Sequence, residues 1–167
     1  CAWVPLHKDW RLNEKHYGSL QGRNKHEVEL EAGADLVQRW RRAFDCPAPA
    51  LLPGDTRLPA LDPRYAGIAA VQQLTTESLR DTHARVRGCW EELLRPLVYT
   101  TGAVLVVAHG NSLRALLMHL RGVAPQQVEQ LEIPTAQPIR LVFDDDMRLQ
   151  SGAQGETPVI RGDGALS

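Results

Sequence analysis

The stretch Val104-Leu105-Val106-Val107-Ala108-His109-Gly110-Asn111-Ser112-Leu113-Arg114 runs from an unbroken apolar segment straight into His-Gly-Asn-Ser. A Val-rich run of that length, bounded by Gly102 and Gly110, reads as a strand buried on both faces. Leu113 to Leu120 then form an amphipathic helical pattern, with Asn111 or Ser112 as candidate cap and Gly110 allowing the turn. His109 is thereby placed at the carboxyl end of a parallel strand, beside a helix N-terminus. Open α/β sheets bind ligands at that edge. A helix N-terminus also presents unpaired N–H groups and about half a positive charge to an anion. The stretch therefore predicts a phosphate or carboxylate site that contains an imidazole.

Upstream, the strongest helical pattern begins near Thr76, with Thr75 or Thr76 as cap and Glu77 at the positive end. Its apolar stripe is Leu79, Val86, Trp90, Leu93, Leu94 and Leu97, and Pro96 falls near its end. A second pattern spans His26 to Arg42 through Val28, Leu36, Val37 and Trp40, with Gly33 as a weak point. Trp10 to Lys25 has no sustained period and reads as an ordered loop. Cys46 to Tyr65 carries Pro47, Pro49, Pro53, Pro59 and Pro63, which predicts an irregular surface excursion of the kind that serves as a lid. Ala2 to Leu6 reads as a short strand. Downstream of Gly122 and Pro125, a turn at Pro134 to Pro138 leads into a strand over Ile139 to Phe143. The polar, Gly-bearing tail from Ser151 to Ser167 is expected to be mobile. Helix–strand–helix–strand order predicts an α/β layer with a partly parallel sheet.

The 167 residues suit one domain with a real core, and 43% hydrophobic with 23% charged residues is ordinary for a globular protein. With a formal net charge of −1, nothing in the charge balance argues for nucleic acid or a membrane as partner, and neither is expected. Cys1, Cys46 and Cys89 are odd in number and form no Cys-x-x-Cys pair, which fits reduced thiols in the cytoplasm better than disulfides or zinc. The chain opens directly into Cys1-Ala2-Trp3-Val4, so it is expected to lack its true N-terminal part.

Three sets of residues could carry chemistry. Glu14, flanked by Arg11, Lys15 and Tyr17, suits a general acid or base if it is partly buried; a solvated surface carboxylate is the plainer alternative. Lys25, Arg41 and Arg42 could clamp an anion, Arg being built for bidentate contact, or could be an exposed charged helix face. His109 is marked by its strand-end position, with a histidine satisfied inside the core as the alternative. Other chemistries find no pattern: there is no His-Glu-x-x-His, no Gly-x-Ser-x-Gly and no Gly-x-x-x-x-Gly-Lys.

Taken together, Trp10-Arg11-Leu12-Asn13-Glu14-Lys15-His16-Tyr17-Gly18, Leu20-Gln21-Gly22-Arg23-Asn24-Lys25, Trp40-Arg41-Arg42, Asp62-Pro63-Arg64-Tyr65, Thr76-Glu77-Ser78-Leu79-Arg80-Asp81-Thr82 and Ala108-His109-Gly110-Asn111-Ser112-Leu113-Arg114 resemble the cofactor-dependent phosphoglycerate mutases of the histidine phosphatase superfamily. The resemblance runs from about Trp3 to Pro138 and implies a three-layer α/β sandwich, a mostly parallel sheet flanked by helices, with the first strand or strands missing. Residues 1–150 would form one such domain, incomplete at its N-terminus, followed by the tail 151–167. Glu14 matches the family's proton donor and acceptor, and His109 its second active-site histidine, which contacts the transferring phosphoryl group. Tyr17, Lys25, Arg41, Arg42, Gly110 and Asn111 match positions that bind phosphoglycerate.

The resemblance further implies a cytoplasmic isomerase of glycolysis and gluconeogenesis, primed by 2,3-bisphosphoglycerate, working through a phosphohistidine without a metal, and assembled as a homodimer or homotetramer. The family's nucleophile lies in an Arg-His-Gly motif on the first strand, and this sequence holds no such triplet; nor does it hold the Ser-x-Leu-x-Arg-Ala context of a further phosphate-binding arginine. The chain alone is therefore expected to be inactive. A non-catalytic remnant that binds phosphometabolites, or a bisphosphoglycerate-processing phosphatase of the same superfamily, are the alternatives.

Overall fold

A computed structural model describes residues 3–150; Cys1, Ala2 and the tail from Ser151, for which mobility was expected, lie outside the described residues. The organising pair is α4 (Leu79–Cys89) packed on α6 (Gly110–Arg121). α4 starts at Ser78 and not at Thr75 or Thr76. The Ser78 hydroxyl accepts from Asp81 N while the Asp81 carboxylate accepts from Ser78 N, so two orphan donors are satisfied reciprocally. Thr76 is used elsewhere: its hydroxyl donates to the Ala48 carbonyl at 2.7 Å.

Past Cys89 the helix widens into a π turn, Trp90–Leu94, and continues as α5 (Arg95–Thr101). The widened turn sits immediately before Pro96, which has no N–H to donate. The helix thus outruns Pro96 and stops at Gly102, whose φ of +76° provides the left-handed closure. α6 ends in the same way at Gly122. Its N-cap is the extended residue His109, and the expected caps Asn111 and Ser112 lie inside the first turn with their side chains bonded to other parts of the fold.

Leu79, Val86, Trp90 and Leu94 bury one side of this helical run against Ala115, Leu116 and Met118 of α6 and Val128 of α7 (Pro125–Val128). Four of the six residues of the predicted stripe are buried here, with Leu93 packed against them and Leu97 outside the cluster, and this burial supplies the main apolar stabilisation. The expected helix over 26–42 breaks at Gly33 (φ +88°) into α1 (Lys25–Ala32) and α2 (Ala34–Arg42), each burying one valine, Val28 and Val37.

The segment 103–109 joins no ladder among the described residues; Val104 and Val106 pack on the core, and His109 at its end is extended. The expectation of burial on both faces is corrected here: Leu105 and Val107 are 86% and 84% exposed. Among the described residues the α4–α6 layer covers only the inner face, and nothing covers the outer one. The strand expected over 139–143 does not form as a regular element: only Phe143, at its end, makes an isolated antiparallel bridge to Leu149, and the Phe143 ring stacks on Trp90 at 5.3 Å. No ladder joins the two segments among the described residues.

The Pro-rich excursion 46–65 is irregular, as expected, with single 3-10 turns at Pro59–Leu61 and Pro63–Tyr65 before the short α3 (Ala69–Gln72). It lies against the loop 10–20. Arg57 donates to the carbonyls of Ser19 and Gln21.

Candidate active site

Two short 3-10 turns, Trp10–Leu12 and Gly18–Leu20, make residues 10–20 an ordered loop. Asp9 caps the first turn by accepting from Arg11 N at 2.8 Å. The second turn requires glycine: Gly18 has φ +54°, and a Cβ there would meet the Pro49 carbonyl oxygen at 2.1 Å.

Between these turns the loop is gripped by a buried ion pair. Arg85 and Glu77, with side chains 8% and 4% exposed, meet at 2.6 Å. Arg85 also donates to the carbonyls of Arg11 (2.7 Å) and Glu14 (3.2 Å), while Glu77 accepts from His16 N (2.8 Å). Each charge thus has further hydrogen-bond partners, as a buried pair needs. The backbone is thereby held on both sides of the Glu14 side chain.

Glu14 is half-buried. It lines a cavity of about 450 Å³ together with His109, and the excursion residues Arg57 and Tyr65 wall the same space. The Tyr65 hydroxyl accepts from Asn13 at 2.8 Å, tying the excursion to the loop beside Glu14. His109 is exposed at the α6 N-terminus, not satisfied inside the core, and Gly110 follows it as the first helical residue.

Tyr17 and Asn111 meet directly: the Asn111 amide nitrogen donates to the Tyr17 hydroxyl at 2.7 Å. Burial, and then the nearby Glu14 carboxylate, push the Tyr17 phenol above its usual range. Arg41 is close enough to Tyr17 for its charge to act on the phenol, and Arg42 bears on Arg114 in the same way. Lys25 is not part of this group. It pairs with Glu29 across one turn of α1 at 3.1 Å, is 56% exposed, and forms no contact with Glu14, Tyr17 or Asn111.

Two cations that the sequence reading passed over lie beneath the site. Lys15 is 1% exposed; its ammonium donates to the Trp40 carbonyl at 2.6 Å and lies 4.8 Å from the centre of the Tyr17 ring. Burial depresses its pKa to about 8. Arg114, 4% exposed, donates to the Leu131 carbonyl and to the Asn111 side chain, and burial lowers its pKa to about 10. Both residues stand inside stretches quoted above, but neither type is expected in an interior. Among the described residues no group of three or more His, Cys, Asp or Glu could hold a metal ion. No described helix is long and apolar enough to cross a membrane.

An acid–base candidate and an imidazole share one cavity, then, with cations and amide donors alongside. Residues 2–151 match the histidine phosphatase superfamily (branch 1). The chain belongs to that superfamily. Membership places it among the phosphoglycerate mutase-like α/β folds. Among similar histidine phosphatases, a protein of Dichelobacter nodosus is 47% identical over 147 residues, which are 88% of this chain and 60% of that relative. One of Nitratidesulfovibrio vulgaris is 48% identical over 88% of this chain and 59% of its own length. A third, of Novosphingobium aromaticivorans, is 50% identical over 87% and 62% respectively. All three relatives carry the name 2,3-bisphosphoglycerate-dependent phosphoglycerate mutase. The chain spans about three-fifths of the length of these curated relatives.

Proposed function

We propose that the protein is a 2,3-bisphosphoglycerate-dependent phosphoglycerate mutase domain, serving the interconversion of 3-phosphoglycerate and 2-phosphoglycerate in cytoplasmic glycolysis and gluconeogenesis. The observation that carries this reading is the shared cavity of Glu14 and His109, beside the Tyr17–Asn111 pair and the Arg41–Arg42 helix end. Phosphoryl transfer is mostly positioning and charge stabilisation, and these side chains supply both. Glu14 exchanges the proton of the acceptor hydroxyl, and the His109 imidazole donates to a phosphoryl oxygen. Arg41, Arg42 and Asn111 neutralise and orient the anionic groups, with Tyr17 and the Gly110 N–H completing the shell.

Lys25, paired with Glu29, would have to release that partner to join them. 2,3-Bisphosphoglycerate, when bound, supplies the priming phosphoryl group, and the paired arginines suit its charge. The segment 103–109, an unbroken apolar run up to Ala108, is read as a strand of the family's three-layer sandwich, within a homodimer or homotetramer.

The 167 residues contain no Arg-His-Gly triplet, so this polypeptide by itself binds phosphoglycerates without turning them over. Titration calorimetry of 3-phosphoglycerate into the chain is expected to show binding that Arg42→Gln weakens about tenfold, the scale of one lost charge-assisted hydrogen bond. An assay with added 2,3-bisphosphoglycerate is expected to show no interconversion. Absence of any heat would refute the binding reading, and robust turnover would refute the assignment of the phosphoryl carrier to an Arg-His-Gly motif.

A further inference from the structure

We propose that Arg114 is a positioning residue of the anion site, fixing which edge of the Asn111 amide faces the ligand. The inference rests on the phosphoglycerate reading above and deepens it. Residues 111 and 114 stand three apart on α6, so their side chains share a face. Arg114 is 4% exposed and anchored from behind, its Nε donating to the Leu131 carbonyl at 2.8 Å. Leu131 is itself 2% exposed, so the anchor lies in the interior.

From that anchor an Nη of Arg114 donates to Asn111 Oδ1, and Asn111 Nδ2 donates to the Tyr17 hydroxyl at 2.7 Å. The chemistry of the chain Leu131–Arg114–Asn111–Tyr17 is one-directional. A guanidinium has donors and no acceptor, so the amide atom against it must be oxygen. The NH2 edge is then forced to the other side, toward Tyr17 and the site. An asparagine free to rotate would present oxygen to an anion half of the time; this one presents donors only. Arg114 touches the ligand through Asn111 and not directly.

The test uses the whole chain labelled with 15N, with the Asn111 side-chain amide assigned by its loss in Asn111→Ala. In Arg114→Met, the amide pair is expected to shift and to exchange faster with solvent while the backbone spectrum is kept. Affinity for 3-phosphoglycerate should fall about tenfold. The double variant Asn111→Ala/Arg114→Met should bind no more weakly than Asn111→Ala alone, because both act through one group. Arg114→Lys, which keeps a donor, should restore much of the affinity and of the amide's original shift.

An unmoved Asn111 amide in folded Arg114→Met overturns the proposal. So do losses that add, which would mean that Arg114 meets the ligand itself. If Arg114→Met does not fold, Arg114→Lys decides: with the donor kept, an affinity as low as that of Asn111→Ala overturns the proposal, and near-normal affinity upholds it. A wild-type chain that binds no 3-phosphoglycerate refutes the phosphoglycerate reading alone, and the amide shift still decides the role of Arg114.

Discussion

At the scale of single residues, several side chains do what their neighbours in sequence do not foretell. Gly18 combines a positive φ with a carbonyl 2.1 Å from where a Cβ would sit. Gly18→Ala is therefore expected to cost roughly 2–4 kcal/mol, the left-handed penalty plus overpacking, measured by urea denaturation. His16 is 8% exposed, and its Nδ1 accepts from Gly18 N at 3.0 Å, so the fold uses the neutral ring. Burial lowers its pKa below the usual 6.5. The unfolded chain then binds more protons just below pH 6.5, so stability is lost as pH falls through that window. His16→Gln, which does not titrate, should flatten that part of the stability–pH curve; an unchanged slope would reject the assignment. Lys15 acts on the alkaline side. With a folded pKa of about 8 against 10.5 unfolded, the unfolded state again holds more protons between those values. The stability of the wild type relative to Lys15→Met is thus expected to rise from pH 8 to 10.5, read by melting temperature.

At the scale of elements, helix ends are the most local features and the most legible. Gly33 and Gly122 interrupt or end helices where the sequence marks them, because a positive-φ residue needs no distant partner, whereas the helix expected to end near Pro96 runs on to Gly102. The start of α4 was misplaced because Thr75, Thr76 and Ser78 are all competent caps. Only the reciprocal bond to Asp81, and the diversion of Thr76 to Ala48, selects Ser78. Ser78→Ala is expected to destabilise the protein by about 1 kcal/mol, while Thr75→Ala leaves helix α4 intact; thermal melts compare them. The segment 103–109 presents Leu105 and Val107 outward at 86% and 84% exposure. Such a run is prone to pair with another chain. Sedimentation velocity should show concentration-dependent association that Leu105→Lys/Val107→Lys reduces; a monomer at all concentrations would contradict this.

At the scale of the whole molecule, the Glu77–Arg85 pair joins elements far apart in sequence. Through Arg85 it binds the middle of α4 to the carbonyls of Arg11 and Glu14, more than 70 residues away. Glu77 had been read from the sequence as a dipole-compensating residue on a helix end. Its partner could not be read there, since the pairing depends on how the loop folds back over α4. Removing one member leaves a buried charge unmatched, so Arg85→Met is expected to cost about 3–5 kcal/mol. It should also loosen Glu14, which hydrogen exchange of the Glu14–Tyr17 amides would report. The candidate site follows the same division. Glu14, His109, Tyr17, Asn111, Arg41, Arg42 and Lys25 stand in contiguous motifs; in the fold Glu14 and His109 line one cavity, Tyr17 meets Asn111, and Lys25 pairs with Glu29. Lys15 and Arg114 were visible as letters only, because a buried cation depends on distant carbonyls, Trp40 and Leu131, to make it tolerable.

By itself, then, the sequence determined the apolar stripe of α4, the glycine breaks at Gly33 and Gly122, the entry into α6 at His109–Gly110, and the superfamily to which these motifs belong. These are set by backbone sterics and periodicity over a few residues. Tertiary structure alone decided which cap is used, that the outer face of 103–109 is bare among the described residues, and which charges are buried. Burial is a property of the partners that surround a group, and here those partners arrive from 17 to 74 residues away.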